Sequence, residues 1–516
     1  MKPFDASGAF AASLPQEATG LRRAAVRGAG VTILSGAAGI SIQIVSAAVL
    51  ARLLTPRDFG LVTMVTTFSL LLMNGPANGF IDTLIQRKEV TQALASTLFW
   101  MNLGIVTLLS IGFAAAGSLL SRLFGEAPVA PIATAFSAAI FLTGLPAIHS
   151  ALLRRGMRFS ALARNDLVAR AAGVLTSMAF GIAGWGYWAL VMGAGVLALS
   201  TAIGVWILCP WMPGLPRRRT GAYSALVFAG HITARYSFNY VARNSDNLLV
   251  GWRFGAHALG FYKKAFDLFS LPLMQLISNN ANVAVSALSR VRDDREQYLK
   301  FVLGAIGVTA FIGMGLAGDL TLISRDLIRV LLGPGWDAAG YIFMFFAPAI
   351  GIMMVNGIHG WLHVSLGRAQ RFLAWGVVEW MATVALFFAG LRWGPQGVAV
   401  AWGVSFWTLT LPAMAYAGKP IGLKMAPVID AIWRYVVAAL AAGVAVFFAL
   451  ERVSWLRGAS GISGAFARIV IDTAVFAVLY LGAVVLLHGS TAPLQRVGKL
   501  VKELRSRKRA RAAVSA

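Results

Sequence analysis

The chain has 516 residues, of which 58% are hydrophobic and only 13% charged. Soluble globular proteins run at about 45–50% apolar and about 25% charged, so this composition excludes a soluble enzyme, a disordered chain and a collagen-like one. The 45 Lys and Arg against 20 Asp and Glu leave a formal net charge of +25, which suggests nucleic acid in a soluble protein but unequal loops on two sides of a bilayer in a membrane protein.

Residues 1–27 hold Asp5, Glu17, Arg22, Arg23 and Arg27 without a sustained apolar run. They read as a short, polar, loose tail and not as a signal peptide. A helix needs about 20 mostly apolar residues to cross a bilayer. On that rule the candidate spans are 28–51, 59–83, 94–119, 129–151, 163–184, 186–208, 223–250, 260–286, 300–320, 341–363, 372–391, 396–417, 433–450 and 469–488. The expected fold is thus an all-α polytopic membrane protein of about fourteen transmembrane helices. None of the connections is long enough for a folded soluble domain.

An even number of spans places both termini on one side. Thirty of the 45 basic residues then fall on the side of the termini, twelve on the other, and three, Arg170, Arg235 and Arg243, inside spans. Positive loops stay in the cytoplasm, so both ends are expected there. The basic C-tail reads as an orientation signal that also touches anionic lipid. No nucleic-acid partner is expected.

The chain repeats itself. The turn Arg52-Leu-Leu-Thr-Pro-Arg-Asp-Phe-Gly60-Leu61 matches Arg253-Phe-Gly-Ala-His-Ala-Leu-Gly260-Phe261 at an offset of 200. Leu123-Phe124-Gly125 matches Leu331-Leu332-Gly333, and Gly184-Trp185-Gly186 matches Arg392-Trp393-Gly394, both at 208. Gly156-Met-Arg158-Phe159 matches Gly367-Arg368-Ala-Gln-Arg371-Phe372 at 211 or 213. Each half holds six spans, so the two run the same way through the membrane, and a substrate site belongs around a central cavity between parallel repeats. The expected organisation is an N-tail at 1–27, an N-lobe at 28–210, a linker at 211–222 and a C-lobe at 223–418. Two unpartnered helices at 432–488 and a basic tail at 489–516 follow.

Ionisable groups inside a bilayer are costly and point to a cavity or a partner. The seventh span carries His231, Arg235, Asn239, Arg243 and Asn247 every four residues, a stripe suited to an anionic substrate. Asp246 lies within reach of Arg243. The eighth span adds Asp267, Gln275 and Asn279. The first span has Ser35, Gly39 and Gln43, and the second Asn74, Asn78 and Asp82, again spaced by four. The substrate-binding candidates are therefore His231, Arg235, Asn239, Arg243, Asn247, Gln43 and Asn279. Asp82, Asp246, Asp267 and Glu379 are candidates for coupling transport to H+ or Na+. Arg170 is expected to pair with Asp166. His359 and His363 lack a visible third ligand, so no metal is expected, and no cofactor. Cys209, the single cysteine, reads as a small apolar residue.

No phosphate-binding Gly-x-x-x-x-Gly-Lys-Ser/Thr, His-Glu-x-x-His or Gly-x-Ser-x-Gly motif occurs. Asp293-Asp294 stands in a basic loop with no domain around it. A transporter fits better than an enzyme. Two other readings stay open: a cation or drug antiporter, which would favour an acidic cavity, and a membrane-embedded glycan polymerase or ligase, which would bring a large external loop.

Several segments resemble a known family. They are Leu53-Leu-Thr-Pro56-Arg-Asp-Phe59-Gly60-Leu61, Leu84-Ile-Gln86-Arg87-Lys88, Leu152-Leu-Arg-Arg-Gly-Met-Arg158-Phe159, Asp246-Asn-Leu-Leu-Val-Gly251, Ala258-Leu259-Gly260-Phe-Tyr262, Ala287-Leu288-Ser289-Arg290 and Leu332-Gly333-Pro-Gly-Trp336. Together they are similar to the oligosaccharide flippases of bacterial polysaccharide biosynthesis, over roughly 28–420. These form the polysaccharide transporter branch of the multidrug/oligosaccharidyl-lipid/polysaccharide exporter superfamily. The resemblance implies two six-helix lobes rocking in alternating access. It implies transfer of an undecaprenyl-pyrophosphate-linked oligosaccharide to the outer leaflet for O-antigen, capsule or exopolysaccharide synthesis, in company with polymerase and export machinery. It also implies arginines that attract the pyrophosphate. Ser286 stands where many relatives have Pro before Ala-Leu-Ser-Arg, so the kink expected there is in doubt.

Overall fold

The computed structural model describes residues 3–5, 7–10, 18–87, 89–217, 222–451, 461–495 and 498, with the backbone alone at 18–34, 37, 74, 76–77, 235, 239, 271–283 and 450–451. The named elements are all helices. They are α1 (Ala18–Leu53), α2 (Pro56–Gln86), α3 (Gln92–Phe124), α4 (Val129–Gly144), α5 (Ala147–Arg155), α6 (Phe159–Ile182), α7 (Tyr187–Leu208) and α8 (Ala222–Arg290). Then come α9 (Arg295–Leu332), α10 (Asp337–Phe346), α11 (Ala349–Ser365), α12 (Ala369–Gly390), α13 (Gly394–Gly418), α14 (Met425–Glu451) and α15 (Gly461–His488). Each of the fourteen apolar segments falls on a helix or a bent helix pair, to within two residues.

Among the described residues eight helices are long and apolar enough to cross a membrane, or nine if the bent pair α10–α11 counts as one. The figure of fourteen crossings is not confirmed on this criterion. The shortfall has a physical cause at α6, where Arg164, Asp166 and Arg170 dilute the apolar run. Large apolar side chains point outward along the helices, with Leu108 72%, Ile182 75% and Leu486 82% exposed. Such side chains are stable only against lipid.

Helix starts follow local chemistry. The Thr55 hydroxyl accepts the Asp58 N–H, and the Asp58 carboxylate accepts the Thr55 N–H at 2.8 Å, a capping box with Pro56 at the first helical position. Thr91 caps α3, and Asp294 caps α9 by accepting the Gln297 N–H at 3.0 Å. The acidic pair Asp293-Asp294 is thus a solvated helix start.

The chain forms two compact units, Met1–Gly260 and Phe261–Ala516. In the first, α3 lies on α4, α6 on α7 and α1, and α2 against α4 and α5. Its core gathers Phe80, Leu84, Leu98, Ile148, Leu152, Cys209 and Trp211. Burial pushes the Cys209 thiol up to about 11, so it is protonated and inert at neutral pH. In the second unit α9 is the hub, touched by α10, α11, α14 and α15. Its core includes Tyr298, Ile306, Met314, Ile358, Tyr435, Phe476 and Tyr480. The last helix is pinned to α9 by a bidentate pair, Arg468 with Asp326 at 2.8 and 2.7 Å, both 20% exposed.

The expectation of a loose N-terminal tail is corrected at its start. Pro3 is buried, and Phe4 pairs with Phe10 across a tight turn. One Asp5 carboxylate oxygen accepts the N–H groups of Ser7 and Ala9 and the Ser7 hydroxyl, at 2.9, 3.0 and 2.6 Å. These bonds hold the Asp5 carboxyl below its ordinary range. The Gly8 carbonyl accepts the Gln92 N–H at 2.8 Å, and Phe4 meets Trp211 at 5.8 Å. Two phenylalanines and a side-chain-capped turn let this segment fold against the unit; composition alone does not reveal that.

Candidate functional site

The arm of α8 before Gly255 carries the basic stripe, and its other face lies along α2. Thr233 donates its hydroxyl to the Gly75 carbonyl at 3.1 Å, Tyr240 to the Thr66 carbonyl at 3.3 Å, and Arg87 donates to the Ser224 hydroxyl at 2.6 Å. Gly79 sits against the Ala229 backbone. Glycines in α2 let the two helices approach closely.

His231 and Arg243 are exposed, on the side that α2 leaves free. The side chains of Arg235 and Asn239, between them in the stripe, lie outside the described residues, as does that of Asn279. Asn247 departs from the expected single face. It is 2% exposed, its Nδ2 donates to Asn244 Oδ1 at 3.3 Å, and its own Oδ1 is buried without a partner. The reason is geometric. Four residues turn an α-helix through about 400°, so a stripe spaced by four drifts about 40° per step. By Asn247 the drift from His231 is about 160°, and the residue has swung into the packed side. Asp246 is fully buried and accepts the Asn247 N–H at 2.8 Å, whereas Arg243 is exposed; the two sit in different surroundings.

The other candidates are scattered. Gln43 is exposed on α1, and Asp82 is half-buried on α2. Asp267 takes a local ion pair from Lys263 at 2.6 Å. Arg170 pairs with Asp166 at 2.8 Å, as expected. Glu379 on α12 accepts from Asn356 Nδ2 on α11 at 2.9 Å. The Asn356 carbonyl bonds His359 Nδ1 at 2.5 Å. One turn on, His363 is 1% exposed with neither ring nitrogen bonded, stacked on Phe372 and beside Tyr416. A buried imidazole without partners is expensive, so Asn356, Glu379, His359 and His363 form a costly polar group between α11 and α12 in the second unit. Asn356 escaped sequence reading, although its place three residues before His359 is the helical signal that would have found it. Among the described residues no group of three or more His, Cys, Asp or Glu could hold a metal ion.

Arg155 was also hidden in the sequence. It donates to the carbonyls of Leu84, Ile85 and Arg87 at 3.0, 3.4 and 2.5 Å, and lies over the Phe10 ring at 5.3 Å. It caps the end of α2 that also holds Ser224.

These features define a multi-pass helical membrane protein with a transporter fold. The same fold is found in the lipid II flippase MurJ, with a TM-score of 0.70, 13% identity and coverage of 90% of this chain and 99% of that one. A multidrug resistance MATE family transporter of the MOP superfamily superposes with a TM-score of 0.58 and 14% identity over 74% of this chain and 94% of its own. The family model described as polysaccharide biosynthesis protein matches residues 49–340, more than half of the sequence, and the chain belongs to that family. It is similar to the succinoglycan biosynthesis transport protein ExoT of Rhizobium meliloti, with 22% identity over 88% of this chain and 91% of the relative. It is also similar to the lipopolysaccharide biosynthesis protein WzxC of Escherichia coli, with 24% identity over 66% and 68%. The teichuronic acid biosynthesis protein TuaB of Bacillus subtilis shares 23% over 70% and 75%.

Proposed function

We propose that the chain is a flippase for lipid-linked oligosaccharide repeat units in surface polysaccharide synthesis. Family membership, a flippase fold and relatives named for polysaccharide biosynthesis support this reading over an enzyme. The observation that carries it to particular residues is the exposed, cationic face of α8. A cation or drug carrier would present carboxylates there.

The substrate is an undecaprenyl-pyrophosphate-linked glycan. His231, Arg235, Asn239 and Arg243 meet its anionic head, since arginine forks suit phosphate oxygens. The protein sits in the inner membrane with both termini cytoplasmic, in keeping with the thirty-to-twelve division of basic residues. It hands its cargo to polymerase and export machinery. Coupling to an ion runs through Glu379, whose Asn356 contact sits among two histidines, and not through Asp267, which Lys263 already neutralises.

The test is a deletion strain. Unmodified lipid-linked repeat units should accumulate in the cytoplasmic leaflet, and the intact gene should restore export. Arg235→Ala and Arg243→Ala should each lower export about tenfold or more at normal protein level, the loss of one charge-assisted contact. Wild-type export by both variants would remove the cationic face from the site.

A further inference from the structure

The second unit holds an apolar groove at the end where α12 turns into α13. Phe345 of α10, Leu386 of α12 and Val400 and Val404 of α13 wall a space of about 570 Å³, within the roughly 300–1,000 Å³ that ligand pockets occupy. Gly390 and Gly397 line it too. A Cβ on Gly390 would lie 2.5 Å from the Gly397 carbonyl oxygen, and one on Gly397 would lie 2.1 Å from that of Gly390. The two helices therefore meet backbone to backbone, and the groove takes the room that side chains would fill. From Gln396 at its mouth to Val404 at its depth is about 12 Å of helix.

The mouth differs in chemistry from the depth. Trp393 is 71% exposed there, and Arg392 beside it is exposed as well. On α10, Tyr341 stands one turn before Phe345; the Arg325 guanidinium lies over its ring at 4.0 Å and donates to its hydroxyl. Neither Arg325 nor Arg392 forms an ion pair among the described residues. Asp337, at the start of α10, is taken by Arg329 at 3.6 Å. Tryptophan and tyrosine favour the level of lipid headgroups, and unpaired guanidiniums suit phosphate oxygens. The first repeat lacks this combination. At the offset of 208, Trp185 matches Trp393, but Gly184 stands in the place of Arg392, Trp188 in that of Gln396 and Ile182 in that of Gly390. An interfacial tryptophan is thus common to both repeats, whereas the glycine-lined groove and its arginine belong to the second alone.

We infer that this groove binds an anionic phospholipid, with one acyl chain along Phe345, Val400 and Val404 and the phosphate on Arg392. A zwitterionic lipid carries an ammonium beside its phosphate, which Arg392 and Arg325 repel. The occupant is a phospholipid and not the tail of the cargo, because the Trp393–Gln396 mouth offers one guanidinium, which matches one phosphodiester charge and falls short of a pyrophosphate. The site uses none of the residues assigned to the cargo. It takes only its leaflet, the outer one, from the orientation proposed above.

Purified, delipidated protein titrated with phosphatidylglycerol or with phosphatidylcholine of the same chains, and read by native mass spectrometry, tests the site. The wild type should bind its first phosphatidylglycerol about tenfold more tightly, as one charge-assisted contact gives. Arg392→Gln should bring the two lipids level. Val400→Trp, which fills the groove, should weaken both; should that variant fail to fold, Val404→Phe fills the same space. Equal binding of the two lipids by the wild type, or an undiminished preference in Arg392→Gln, would overturn the anionic site. Unchanged binding in the filled variant would overturn the groove as the seat of the chain. Undecaprenyl phosphate displacing phosphatidylglycerol at a lower concentration than phosphatidylglycerol itself would overturn a phospholipid as the occupant. None of these measurements involves glycan export, so failure of the flippase reading would leave them standing.

Discussion

The turns that end the fourth and tenth spans hold equivalent places in the two repeats, yet they are secured differently. After α5, Arg155 gathers three carbonyls from the end of α2 and lies over Phe10. After α11, Arg371 reaches one carbonyl, that of Tyr416 at 2.8 Å, and stacks on the same residue's ring at 4.3 Å. The histidines 210 residues apart diverge too. His149 bonds the Trp211 carbonyl at 3.0 Å and stacks on Trp206 at 4.3 Å. His359 belongs to the chain that ends on Glu379. The first repeat spends its polar groups on fastening, whereas the second keeps a buried polar centre beyond what fastening needs. The lesson is that the repeats share a backbone plan but not the use of their polar groups.

The sharpest way to break this comparison is Glu379→Gln. Glutamine keeps an acceptor for Asn356 Nδ2 and removes the titrating group. Transport should become independent of an imposed proton or sodium gradient while protein level stays normal; a gradient response equal to wild type would return Glu379 to a fastening role. Next comes Arg155→Ala against Arg371→Ala. Hydrogen bonds from a charged donor contribute about 1.5–3 kcal/mol when well shielded. With partial exposure discounted, Arg155→Ala should cost about 2–4 kcal/mol and Arg371→Ala about 1–2, read as thermal unfolding in detergent. Equal losses would contradict the difference in fastening. A third test exploits the backbone. Met157 has φ of +53° where the second repeat places Gly367 at +69°. Left-handed backbone costs a side-chain-bearing residue about 1–2 kcal/mol, so Met157→Gly should stabilise by about 0.5–1 kcal/mol and Gly367→Ala should destabilise.

The smallest effect concerns the N-terminal turn. The folded Asp5 carboxyl lies below its unfolded value near 3.8. Its contribution is therefore present above that value and lost as pH falls through the lower, folded one. Protection of the amides of Ser7 and Ala9, taken against the intrinsic exchange rate at each pH, should fall below about pH 4, with the interior of α3 unchanged.

Much of the fold was legible because hydropathy and turn glycines are local signals. The fourteen apolar segments, the 200 and 208 offsets and the Arg170–Asp166 pair needed no tertiary information. The site was legible only in part. A spacing of four looks like one face on paper, but its drift carried Asn247 into the core. Arg155 looked like one more cytoplasmic charge, because nothing local says that three carbonyls wait beside it.

The Arg468–Asp326 pair carries a consequence for biogenesis. Its partners are 142 residues apart, and at about 5–20 residues per second Asp326 is made roughly seven to thirty seconds before Arg468. Until then a carboxylate on the hub helix of the second unit waits without its guanidinium. Completion of that unit must therefore follow synthesis of the last helix, and a nascent chain stalled before Arg468 should be the form that quality-control proteases recognise.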